Sequence, residues 1–186
     1  MVEKFNARLD AKNRLKGQPV SRGGVFHHAT VGELSDPGGT GERVEAMLWQ
    51  LKQTYSMGRS SHDLVSSGVA LFFPRTLLPI GVYPKSEYWQ ASWGDFPSTP
   101  KHLLREYDAT SALGPEHEAT RVLVADDRLF SALIRPEVIG RPQLSGRHLR
   151  LDGNMAVAWA KGEAAPNLLV DLAVELNELV DLLPRG

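Results

Sequence analysis

Two apolar runs, His148-Leu149-Arg150-Leu151 and Met155-Ala156-Val157-Ala158-Trp159-Ala160, lie on either side of Asp152-Gly153-Asn154. Gly and Asn tolerate the positive φ of a tight connection, so the pattern predicts two antiparallel strands joined by a hairpin turn. Alternation puts Leu149 and Leu151 on one face and His148 and Arg150 on the other. Pro166 then opens a helix with Leu169, Leu172, Leu176, Leu179 and Leu183 along one side, Asp171, Glu175 and Glu178 along another, and Pro184 as its stop. Val170 and Val174 widen the apolar stripe, as a helix lying across a sheet requires. The ending therefore commits the chain to an α+β fold in which sheet and helix share a core.

Upstream, the run from Val25 to Leu34 is rich in β-branched and aromatic residues, and Asp36-Pro37-Gly38-Gly39 stops it, as a strand and a turn would. Glu42 to Ser56 is ambiguous. Val44, Met47, Leu48, Leu51 and Tyr55 fit a helical face better than the same residues fit an alternating strand. Yet Ser56 to Ser61 reads as a hairpin turn leading into the strand-like Leu64 to Phe73. Pro74 and Pro79 keep the next stretch extended before a short strand, Ile80 to Tyr83. Lys85 to His117 reads as a long ordered loop with one or two helical turns near Leu103-Leu104. Arg121 to Ala125 reads as a buried strand, and Asp126 as the N-cap of a helix from Asp127 to Ile134. Pro136 interrupts that helix or opens a second short turn. The predicted architecture is a mainly antiparallel sheet from segments near 25–34, 42–55, 63–73, 80–83, 121–125, 148–151 and 155–161, with a short helix and a long C-terminal amphipathic helix on one face.

A length of 186 residues suits one domain spanning 1–186, with residues 1–17 as a marginal N-terminal helix ending at Gly17. With 21 basic and 22 acidic residues the net charge is −1, so no overall field draws the chain to nucleic acid or an anionic membrane. The absence of cysteine excludes disulfides, thiol chemistry and thiolate zinc sites. Met1 to Lys16 is charged throughout and lacks the apolar region of a signal peptide, and no stretch reaches the ~20 apolar residues of a membrane span. The expected location is cytoplasmic, with any membrane association supplied by a segment outside this chain.

Two stretches carry a resemblance. The first runs from Gly41-Glu42-Arg43-Val44-Glu45-Ala46 through His62, Val69 to Pro74 and Leu77 to Val82. The second comprises Arg121 to Phe130, Pro136-Glu137-Val138, His148 to Gly153, Trp159, Gly162, Pro166 and Leu182-Leu183-Pro184. Together they resemble an uncharacterised family of actinobacterial proteins, often the soluble part of membrane-associated chains. The resemblance rests on Pro, Gly and core apolar positions over roughly two thirds of the chain. It implies that Glu42 to Ser56 is a strand paired with Leu64 to Phe73, and it brings no catalytic residues with it.

Candidate chemistry is sparse. His27 and His28 are adjacent, so on a regular strand they point to opposite faces and cannot chelate together. His62, His102, His117 and His148 stand singly without ligand spacing, and no metal or cofactor motif is present. Gly58-Arg59-Ser60-Ser61-His62 lacks the G-x-S-x-G nucleophile elbow. Asp126-Asp127 is explained by helix capping, and Gly38-Gly39-Thr40-Gly41 lacks the Lys-Ser or Lys-Thr of a phosphate loop. The strongest feature is Tyr88, Trp89, Trp93 and Phe96 in a polar, Gly-containing loop, aromatics that either complete the core or meet a ligand or partner. The expectation is a non-enzymatic ligand- or protein-binding module, with a protein partner or a homo-oligomer. The rival is a hydrolase-like enzyme pairing His62, His102 or His148 with Asp95, Asp108 or Asp126.

Overall fold

A computed structural model describes residues 19–20, 24–35, 43–57, 60–84, 99, 101–109, 120–139 and 147–184. The predicted N-terminal helix, the Gly38–Gly41 segment, His117 and the aromatic loop Tyr88–Phe96 lie outside these residues. Among the described residues there are nine strands: β1 Pro19–Val20, β2 Gly24–Ser35, β3 Arg43–Met57, β4 Ser60–Phe72, β5 Ile80–Pro84, β6 Arg105–Asp108, β7 Thr120–Val124, β8 His148–Asp152 and β9 Met155–Lys161. They form one sheet in the order β1-β2-β3-β4-β9-β8-β5-β7-β6. Every pairing in it is antiparallel. The helices among the described residues are α1 Asp127–Leu133, α2 Pro136–Ile139 and α3 Pro166–Leu182, with a 3-10 turn at Lys101–Leu103. No helix among the described residues is long and apolar enough to cross a membrane.

The terminal hairpin has the predicted form. Asp152 faces Met155 across a two-residue turn, with Gly153 at φ 60°. The chain between β4 and β5 is tied to that turn, because Phe73 N–H donates to Asn154 C=O at 2.8 Å and Leu77 N–H to Gly153 C=O at 2.6 Å. Pro166 occupies the first turn of α3. The apolar stripe of α3 then buries Leu169, Leu172, Ala173, Leu176, Leu179 and Val180 in one core with Val69, Leu71, Ile80, Val82, Leu149, Leu151, Ala156 and Ala158 of the sheet. Each Val, Leu or Ile side chain among them contributes about 1.5–3 kcal/mol by leaving water, and each Ala less.

Glu42 to Ser56 is a strand, as the resemblance implies and against its helical spacing. Val44, Ala46 and Leu48 enter the core beneath the helices, while Met47 and Trp49 pack on the opposite face. A strand buried on both sides has no polar face to alternate with, so its apolar residues fall into a pattern that periodicity reads as helix. The Ser56–Ser61 turn is shorter than predicted, since strand pairing continues to Met57 opposite Ser60. Within the predicted loop Lys85 to His117, residues 105–108 form the edge strand β6. The ladder of β2 and β3 shifts between Phe26 and His28, a β-bulge, so the strict alternation assumed for His27 and His28 is interrupted there.

Asp126 caps α1, its carboxylate accepting from Leu129 N–H at 2.8 Å. Replacing it with Ala is expected to cost about 1 kcal/mol, read as a lowered denaturant midpoint, with Asn retaining most of the stability. Tyr107 of β6 stacks on Phe130 of α1 with ring centroids 4.4 Å apart. Its hydroxyl donates to the Asp127 carboxylate, which holds the phenol above its ordinary pKa.

Candidate functional site

Across the face opposite the helices, cross-strand neighbours place Trp49, Gly68, Trp159 and His148 in one row over β3, β4, β9 and β8. Gly68 has no side chain, so the Trp49 indole and the Trp159 side chain close over its backbone. The His148 ring stacks on Trp159 at 4.9 Å with an interplanar angle of 11°, and Tyr83 of β5 approaches His148 at 6.2 Å. Arg150 and Asp152 follow His148 on this face, and Asp152 accepts from Thr99 Oγ at 3.0 Å. His148, Arg150 and Asp152 are 1%, 8% and 3% exposed, so this face is a second, partly polar core rather than an open cleft. It makes a stiff platform at the root of the β3–β4 hairpin.

Among the described residues, the hairpin runs on from this platform past both of its neighbours. β2 last pairs with β3 at Gly24 opposite Gln53, whereas β3 and β4 stay paired as far as Met57 and Ser60. On the other side β9 leaves β4 at Lys161 opposite Ser66. Among the described residues, 54–57 and 60–65 thus pair only with each other, a two-stranded ribbon about 20 Å long on the β4 side. Gly162 ends β9: its φ of 101° turns the chain away from the sheet, and its N–H donates to Val65 C=O at 2.8 Å. Ser67 fixes this departure, donating to Gly162 C=O at 2.7 Å and accepting from Ala164 N–H at 3.1 Å.

That bond identifies Val65 as a residue whose backbone points outward from β3. Because N–H and C=O directions alternate along a strand, Ser61 and Asp63 present theirs on the same outer side, and Ser60, His62 and Leu64 present theirs to β3. Among the described residues no strand pairs with β4 on that outer side over 60–65. At the ribbon's base, Lys52 Nζ and Asp63 form an ion pair at 2.7 Å.

Of the His, Asp and aromatic residues singled out from sequence, His62 alone lies on the ribbon among the described residues. Tyr88, Trp89, Trp93, Phe96 and Asp95 lie outside the described residues. His62 is on the ribbon, His102 is exposed in the 3-10 turn, and His148 is buried under Trp159. Asp126 serves the α1 cap, and Asp108 meets Arg121 at 3.1 Å. Among the described residues no group of three His, Asp or Glu side chains is placed to hold a metal ion. The overhanging ribbon has one sequence signal, the length of the strand-forming runs on either side of Gly58-Arg59 relative to Met155–Lys161. Comparison with protein-family models, with curated proteins and with solved structures finds no match to this chain.

Proposed function

We propose that this protein is a non-enzymatic protein-interaction module that works by strand addition to the β3–β4 ribbon. The observation that carries this reading is the run of β3 and β4 beyond both β2 and β9. A two-stranded ribbon is at best marginally stable in water, and a third strand supplies backbone hydrogen bonds and side-chain cover. Edges meant to stay unpaired are guarded by charged side chains, Pro or bulges; Ser60-Ser61-His62-Asp63-Leu64-Val65 has no Pro, and its single carboxylate, Asp63, is paired with Lys52 of β3. The resemblance to soluble parts of membrane-associated chains suits a role in joining one polypeptide to another.

The test uses a fluorescein-labelled octapeptide of alternating Thr and Val, a sequence of high strand propensity. Saturable binding is expected, and Ser61→Pro should abolish it. Proline at this edge position removes an outward N–H while sparing the bonds to β3. His62→Pro removes an inward N–H and should unfold the hairpin instead. Absence of peptide binding, or binding unchanged in Ser61→Pro, would rule out strand addition here.

A further inference from the structure

We draw no further inference here: the strongest candidate, the cleft between the β4–β5 connection and the last turn of α3 lined by Arg75, Leu77, Leu78, Leu151, Val180 and Leu183, carries nothing, because its one charged group, Arg75, is already paired with Asp181 at 3.1 Å and nothing in the structure shows what would fill the apolar remainder.

Discussion

Gly68→Ala is expected to lower the thermal midpoint by roughly 6–12 °C, the consequence of about 3 kcal/mol of overpacking in a chain of this length. A Cβ at this position would stand 2.5 Å from the Ala158 carbonyl oxygen, 2.6 Å from Trp159 Cβ and 2.7 Å from Trp49 Cζ2. All three distances are well inside van der Waals contact, and the first two involve atoms fixed by the β4–β9 ladder. Only the indole can swing aside, and it is 3% exposed beneath its neighbours. The cost is therefore steric, and it acts at the base of the ribbon. Differential scanning calorimetry checks it. A midpoint within 2 °C of the parent would show that the Trp49–Trp159 packing is loose enough to absorb a methyl group, contrary to the platform described.

The parts of the fold legible in the sequence are those governed by local rules. Gly153 and Asn154 announce the β8–β9 turn because few other residues accept its backbone. Asp126 announces α1, and the leucine spacing after Pro166 announces α3. What local rules miss is decided by tertiary context. β3 is buried on both faces, so its pattern lacks the alternation that marks a half-buried strand. β6 fails to show for the opposite reason: three of its four residues are exposed, so no apolar signal marks it. The candidate site is of a third kind. Nothing in Ser60 to Val65 says that this strand outlasts its neighbours, because the overhang depends on where β2 and β9 stop. Gly162 is the one residue whose chemistry reports that stop, and its φ of 101° is not visible until β9 is in register with β4.

Among the described residues the large aromatic side chains serve packing. Trp49, Trp159 and Tyr83 are 3%, 4% and 1% exposed, large rings used to fill the second face of a wide sheet. The ribbon instead offers backbone. The proposed strand addition would draw its affinity from main-chain hydrogen bonds and so leave little compositional trace.

On the helix face, Leu176→Ala is expected to cost about 2–5 kcal/mol, a midpoint lower by roughly 5–20 °C. Leu176 is fully buried, in a core that includes Leu172, Leu179, Val69, Leu71, Ala156 and Ala158. Truncation removes apolar contacts and leaves a cavity that α3 cannot close by sliding inward, because Leu172 and Leu179, one turn before and nearly one turn after, hold it against the sheet. Leu176→Met conserves volume and should lose less than about 1.5 kcal/mol. The exposed Asp171 on the same helix supplies the contrast, and its replacement by Ala should stay within about 0.5 kcal/mol. Urea unfolding resolves all three variants. If Leu176→Ala and Asp171→Ala lose the same amount, α3 is not the lid of the core, and the sheet must draw its stability from the Trp49–Trp159 face alone.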